Sequence, residues 1–285
     1  MPDETEVFER YRPLLIGLAY RLLGSMWDAE DAVQEAYLRW TGADTAGVEE
    51  PRAWLITVVS RLALDQLKSA RVTREAYVGP WLPEPVAAAD LGPLDTAELR
   101  DTLSYATLHM MERLSPPERA VFVLREAFEL PYGDIARIIG VPAASCRQHH
   151  RRARARLADG SDRFEPSGAD HAALVGRFLD AARGGDLATL GDLLAEDVTA
   201  WNDGGGKVRA ALRPVTGRDA VLAFVGGLLS RYPFDDVRPI EVNGGPAIAA
   251  TMGGQRQVVA FDVRGGRIHG IYAVLNPDKL TRIAA

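Results

Sequence analysis

The chain has 285 residues, 47% hydrophobic and 25% charged, with a formal net charge of −6. This is globular composition, long enough for about two domains and a small third, and it excludes both a low-complexity chain and a uniformly basic nucleic-acid binder. A single cysteine, Cys146, excludes an internal disulfide and fits a reducing compartment. No apolar run approaches the ~18 residues of a membrane span, and the acidic MPDETE start does not read as a signal peptide, so a cytoplasmic chain without membrane attachment is expected.

Apolar residues from Val7 to Leu22 recur at helical spacing and predict a helix over 6–23. Pro13 inside it predicts a bend or a later start. Asp28 is the expected cap of the next helix, with Asp31 in a capping-box-like position. Ala29, Val33, Ala36, Tyr37 and Trp40 form the buried side of that helix, while Glu30, Asp31, Gln34 and Glu35 point away. An acidic face repels DNA and suits a basic protein partner; a plain solvated face is the competing reading. After a polar loop over 41–50, Pro51 sits well at the start of a third helix that buries Trp54, Leu55, Val58, Val59 and Leu62. Arg52, Arg61, Lys68, Arg71 and Arg74 give this helix and its end a basic surface.

Residues 77–95 hold Gly79, Pro80, Pro83, Pro85, Gly92 and Pro93, a breaker density that marks a linker. Trp81 and Leu82 inside it predict that the linker packs against something. Helical periodicity resumes over 96–113, and Ser115, Pro116 and Glu118 read as the cap, first residue and third residue of a further helix. Residues 131–157 then read as two short helices broken at Gly140-Val141-Pro142. On the second, Cys146, His150, Ala153 and Leu157 share one face, and Ala144, Gln148, Arg151 and Ala155 lie opposite. Arg147 and Arg154 flank that front on one side, Ser145 and Arg152 on the other. An apolar back, a short polar front and an arginine border are what a helix reading the DNA major groove requires. From Arg147 to Arg156 there are five arginines and no acid, and local charge, not the net sum, sets the field at a binding surface.

A second linker is expected at 158–169. Helices over 170–183, 186–196 and 218–230 are then mixed with strands at 198–201, 207–213, 238–242, 257–263 and 267–275, the last two joined by a hairpin turn at Arg264-Gly265-Gly266. This is an α+β domain whose sheet encloses a pocket, with an unidentified small molecule as its expected ligand. Gly204-Gly205-Gly206-Lys207 fails as a phosphate loop because Val208, not Ser or Thr, follows the lysine. Asp203, Asp219, Asp262, His269 and Tyr272 are candidates for acid–base chemistry, but nothing in their spacing makes any two converge, so no catalytic residue, cofactor or metal is assigned.

Three stretches, DAEDAVQEA over 28–36, PRAWL over 51–55 and SPPERAVFVLREAF over 115–128, resemble the extracytoplasmic-function (ECF) sigma factors of bacterial RNA polymerase. The resemblance implies two all-α bundles: sigma region 2 over 1–76 and, after a linker at 77–97, the helix-turn-helix region 4 over 98–158. It implies that Asp28, Glu30, Asp31, Gln34 and Glu35 contact the polymerase core, at the β′ clamp helices beside the β subunit. Arg61, Lys68 and Arg71 would meet the melted −10 strand, and Ser145, Arg147, Gln148, Arg151 and Arg152 the double-stranded −35 element. Pro142, where a capping Ser or Thr is common, and His149-His150 depart from the family pattern, which leaves the promoter bases open. Trp201-Asn202-Asp203-Gly204-Gly205-Gly206-Lys207 and Asn276-Pro277-Asp278-Lys279-Leu280 resemble motifs of the subgroup with a fused SnoaL-like domain of the NTF2-like fold. After a linker at 159–169, residues 170–285 would then form an α+β cone that regulates the sigma regions in cis. A stand-alone helix-turn-helix regulator with a ligand-binding C-terminal domain is the alternative; it has no need of the acidic helix or of the second basic surface.

Overall fold

The computed structural model describes residues 3–43, 47–87, 90, 102–158 and 169–283, with 70–75, 158 and 169 described by backbone alone. The remainder of the expected linkers at 77–97 and 159–169 lies outside the described residues. The chain divides into two compact units. One comprises residues 1–75, 88–103 and 110–159; the other comprises 76–87, 104–109 and 160–285.

The first unit is helical. α1 (Glu4–Leu23), α2 (Met26–Thr41) and α3 (Pro51–Glu75) pack on one another, with Leu15, Leu18, Leu22, Ala29, Ala32, Val33, Leu55 and Val59 in the core. Pro13 does not delay α1. It lies on the exposed side, where water can satisfy the carbonyl that a proline cannot bond. Gly24, at φ 70°, ends the helix by donating to the Tyr20 carbonyl at 2.7 Å. The cap of α2 is Ser25, not Asp28: its hydroxyl accepts the Asp28 N–H at 3.2 Å, so α2 begins two residues before Asp28. Ser25 takes this role because it alone sits at the extended residue where the chain leaves Gly24.

α4 (Tyr105–Met111) is followed in the first unit by α5 (Pro116–Glu126), α6 (Tyr132–Ile139) and α7 (Ala143–Ala158). Ser115 starts α5 as expected, its N–H and hydroxyl both donating to the Glu118 carboxylate. Gly140, at φ 74°, closes α6 and makes the tight break before α7. Two buried arginines key α5 to α1. Arg119 donates to the Arg21 carbonyl and pairs with Glu112. Arg21 donates to Gly17 and Thr102 and lies over the Phe128 ring; burial pulls its guanidinium down to about 10.

The second unit is a six-stranded sheet in the order β2-β1-β6-β5-β4-β3. Its strands are β1 (Leu194–Asp203), β2 (Val215–Thr216), β3 (Phe234–Val242), β4 (Gly245–Met252), β5 (Gln255–Arg264) and β6 (Arg267–Val274). β1 and β6 run parallel, pairing Trp201 with Tyr272, and the other neighbours are antiparallel. α8 (Ala169–Gly184), α9 (Leu187–Leu193) and α10 (Arg218–Arg231) pack Leu174, Phe178, Leu190, Leu193 and Val221 on one face, against Val198, Ala200, Ile248, Phe261 and Ile271. The opposite face carries Val242, Val258, Ala260, Tyr272 and Val274, covered by Leu82, Tyr105, Leu280 and Ile283.

Two strand expectations are corrected. Residues 207–213 form no strand: Lys207 and Val208 both bond back to the Gly204 carbonyl in a turn, and β1 takes the two-residue β2 as its antiparallel neighbour. β4 was not expected, because an alanine-rich run beginning Gly-Pro reads poorly as a strand. Its flanks carry the signal. Asn243-Gly244 and Gly253-Gly254, all at positive φ, make the same two-residue hairpin turn as Gly265-Gly266. The helix expected over 186–196 stops at Leu193, where β1 begins. Among the described residues no helix is long and apolar enough to cross a membrane.

Candidate functional site

Four sets of candidate residues can be followed from sequence to structure, and they fare differently. The first is the front of α7. Cys146, His150, Ala153 and Leu157 are buried as the wheel requires, and burial pushes the Cys146 thiol up, keeping it protonated. Arg147, Gln148, Arg151 and Arg152 are exposed, and Ser145 is half-buried. His150 is structural: its two ring nitrogens meet the Tyr132 hydroxyl at 2.8 Å and the Glu126 carboxylate at 2.6 Å, tying α5, α6 and α7 together. Arg147 lies 5.9 Å from the centroid of the Tyr132 ring. Among the described residues, no hydrogen bond or ion pair holds Gln148, Arg151 or Arg152, so their donors point outward ready for an external acceptor.

The second set is on α2. Asp31 and Gln34 are exposed; Asp28, Glu30 and Glu35 are half-buried. Glu35 pairs with Arg39, and Asp31 accepts from Gln66 at 3.4 Å. Sequence reasoning missed the residues between which the acids sit. Trp27 is 78% exposed and Leu38 56%, on the same helical stripe as Asp31 and Gln34. The stripe thus sets two large apolar side chains beside acids at the surface. The signal was available as i, i+4, i+7, i+11 spacing, but α2 was read from Asp28 onward, which left Trp27 out.

The third set, on α3, is divided. Arg61 donates to the carbonyls of Arg137 and Ile138 at 2.8 and 3.1 Å, satisfying the last turn of α6. Lys68 pairs with Asp65 at 2.9 Å on the surface. The side chain of Arg71 lies outside the described residues.

The fourth set gathers the two glycine- and proline-bearing motifs into one cluster. Asp203 is fully buried. Its carboxylate accepts from the Tyr77 hydroxyl (2.6 Å), the Leu82 N–H (2.9 Å), the Gly205 N–H (3.1 Å) and the Lys279 ammonium (2.7 Å). Its carbonyl accepts the Leu275 and Asn276 N–H groups. Asn276 donates to the Tyr77 oxygen, Lys207 pairs with Asp278, and Lys279 donates to the Leu82 carbonyl beneath the rings of Trp81 and Tyr77. Burial, then the bond to Asp203, raises the Tyr77 phenol, which therefore stays a donor. A Cβ on Gly204 would lie 2.5 Å from the Val208 carbonyl, against backbone, and one on Gly205 2.3 Å from Asn276 Nδ2, so a side chain at Gly205 forces the Asn276 amide to shift. Gly206, at φ 70°, packs on Val78, Pro277 opens a 3-10 turn capped by Asn276, and Leu280 enters the apolar cluster behind.

Tyr77, Trp81 and Leu82 were not singled out as site residues, although aromatics inside a proline-rich stretch were the clue. Further along, Asn243 holds Val86 through two bonds and the Tyr105 hydroxyl donates to the Pro83 carbonyl. Of the acid–base candidates, Asp262 and the Tyr272 hydroxyl both border Gly270, and each of the five is engaged or exposed elsewhere. Asp203 is committed as above, Asp262 pairs with Arg264, His269 pairs with Asp197, Tyr272 stacks on Trp201, and Asp219 is exposed in the first turn of α10. Among the described residues no group of three or more His, Cys, Asp or Glu could hold a metal ion.

Comparison with known proteins accounts for the same regions. Residues 7–73 match Sigma-70 region 2, residues 105–157 match Sigma-70 region 4, and residues 175–271 match the SnoaL-like domain. The ECF RNA polymerase sigma factor SigJ of Mycobacterium tuberculosis is 41% identical, over 98% of this chain and 93% of its own length. The probable ECF RNA polymerase sigma factor SigI of the same species is 34% identical, over 96% of this chain and 94% of its own. The crystal structure of SigJ superposes with a TM-score of 0.81, at 36% identity and 98% coverage of both chains. With its helical regions, its α+β SnoaL-like domain and a full-length relative at this identity, the chain belongs to the ECF RNA polymerase sigma factors.

Proposed function

We propose that the chain recruits core RNA polymerase to promoters by dividing the work between α2 and α7. The observation that carries this is the exposed front of α7, with Gln148, Arg151 and Arg152 unengaged on a helix whose back is fully packed. Gln and Arg read base edges bidentately, and the bordering Arg147 and Ser145 set the register on phosphate in the −35 duplex. The stripe of Trp27, Asp31, Gln34 and Leu38, with Glu30, Glu35 and Asp28 beside it, meets the core enzyme at the β′ clamp helices near the β subunit. Lys68 and Arg71 lie along the path of the melted −10 strand. Arg61 joins them once it releases the end of α6. This work takes place in the cytoplasm.

The second unit acts as a regulator in cis and not as an enzyme. The polar groups of its two motifs, Asp203, Asn276 and Lys279, are used internally, and what they hold is the chain between the two sigma regions. Residues 77–87 follow α3 directly, so their capture by Asp203, Asn243, Asn276 and Lys279 limits how that stretch can extend.

In a pull-down with core polymerase, Asp31→Lys with Glu35→Lys abolishes binding by the full-length chain; undiminished binding removes the polymerase role from that face. In run-off transcription, full-length Lys279→Ala, which releases residues 77–82, changes promoter output at equal core occupancy. Identical output from the two chains rejects the regulatory role while leaving the promoter role intact.

A further inference from the structure

On the helix-covered side of the second unit, α10 and the ends of β1, β4 and β5 enclose a cavity of about 560 Å³. Its size falls within the range of small-molecule sites, roughly 300–1,000 Å³. Phe224, Leu228, Met252 and Leu275 line it with apolar surface. Two arginines, Arg209 and Arg231, also line it, both exposed and neither with an acidic partner among the described residues. No Asp or Glu is among the described lining residues. Asn202 forms part of the wall on the strand that also carries Asp203. It is 7% exposed, and its side-chain Nδ2 has no hydrogen-bond partner among the described residues.

Only the buried amide is expensive; the exposed arginines are solvated, and what they supply is positive charge along the lining. A buried amide N–H without an acceptor costs about 1–3 kcal/mol, and two cations beside half-buried apolar side chains invite an anion with an apolar body. The headgroup can be narrowed. Phosphate sites favour helix N-termini, where the dipole is positive. Here the cavity meets the C-terminal half of α10, with Arg231 in its last turn. That end disfavours a dianion, whereas a singly charged, planar carboxylate matches the guanidinium fork.

We propose that this cavity binds an amphipathic carboxylic acid. Arg209 and Arg231 hold the carboxylate, the apolar body lies on Phe224, Leu228, Met252 and Leu275, and the Asn202 amide donates to a second oxygen carried along that body, a keto or hydroxyl group. The assignment is independent of the promoter reading, because binding is measured without polymerase or DNA.

The test is isothermal titration calorimetry of the full-length chain with decanoate, decanol, decyl phosphate and a set of keto-decanoates with the oxygen stepped along the chain. Decanoate binds saturably, and decanol binds at least about tenfold more weakly, the loss expected for one charge-assisted contact. Arg209→Glu with Arg231→Glu, both surface changes, removes the decanoate preference and leaves decanol unaffected. One keto isomer binds more tightly than decanoate, and Asn202→Leu erases that gain alone. Ala223→Trp, which fills the mouth from an exposed helix position, blocks every probe. Equal binding of decanoate and decanol, tighter binding of decyl phosphate, or heat from no probe at all overturns the proposal.

Discussion

The front of α7 and the cluster around Asp203 look alike as sequence. Each is a short run of charged and amide side chains with small residues between. In the folded chain they are opposites. On α7 the donors of Gln148, Arg151 and Arg152 meet no acceptor among the described residues, whereas Asp203 accepts four hydrogen bonds at its carboxylate with no exposed surface. A polar motif therefore announces function in two ways. Where its valences remain open it meets a partner; where they are closed it builds the structure that others depend on. The SnoaL-like motifs are of the second kind, and what they build is the seat of residues 77–87.

The largest expected effect tests the closed half. Asp203→Ala leaves the Lys279 ammonium, 12% exposed, without its counter-charge, and strands the Tyr77 hydroxyl and the Leu82 N–H. Breaking one side of such a pair costs about 3–5 kcal/mol, read as a lowered midpoint in urea denaturation followed by tryptophan fluorescence, to which Trp81 and Trp201 contribute. Gly205→Ala should cost somewhat less, about 1–3 kcal/mol, because the strained backbone at φ 59° and the clash with Asn276 can be shared by small shifts. If both variants unfold like the parent chain, the cluster is not what holds this region.

The open half was legible because helical periodicity is local. Cys146, His150, Ala153 and Leu157 fall on one wheel face from spacing alone, and each is buried. The closed half was only partly legible. The motifs 203–207 and 276–280 could be marked, but their partners Tyr77 and Leu82 lie more than a hundred residues upstream, and no period links them. Part of that information was nonetheless on view. Val258-Val259-Ala260-Phe261 is a continuous apolar run, the pattern of a strand covered on both faces. One cover comes from the helices; the other had to come from elsewhere in the chain, and Leu82 and Tyr105 supply it. The charge of Arg61 gives a basic surface but does not reveal that its guanidinium also bonds two carbonyls at the end of α6.

A middle-sized effect tests the open half. Arg151→Ala should weaken promoter binding by about 1–3 kcal/mol at one base position of the −35 element, measured by competition among single-base promoter variants. It should change folding stability by less than about 0.5 kcal/mol, since the exposed side chain bonds no other described residue. Uniform weakening across all variants would assign Arg151 to phosphate. Lost stability would show that the front of α7 is not open at all.

The smallest effect sits between the two regions in kind. Glu126 and His150 close a bond beneath α7, so the open front rests on a closed foundation. The hydrogen bond from His150, opposed by burial and aided by Arg154 and Arg125, holds the Glu126 carboxyl below its ordinary value of 4.5. A depressed carboxylate contributes stability that is fully present above the unfolded value and is lost as pH falls through the folded one. The unfolding midpoint of the parent chain should therefore fall, as acidification passes below the ordinary carboxylate value, more steeply than that of Glu126→Gln, which keeps a partner for His150 but cannot titrate. The two curves should converge at the acid end, where Glu126 is protonated and resembles the amide. Parallel curves would mean that the bond carries no charge, and that α7 is seated by its apolar back alone.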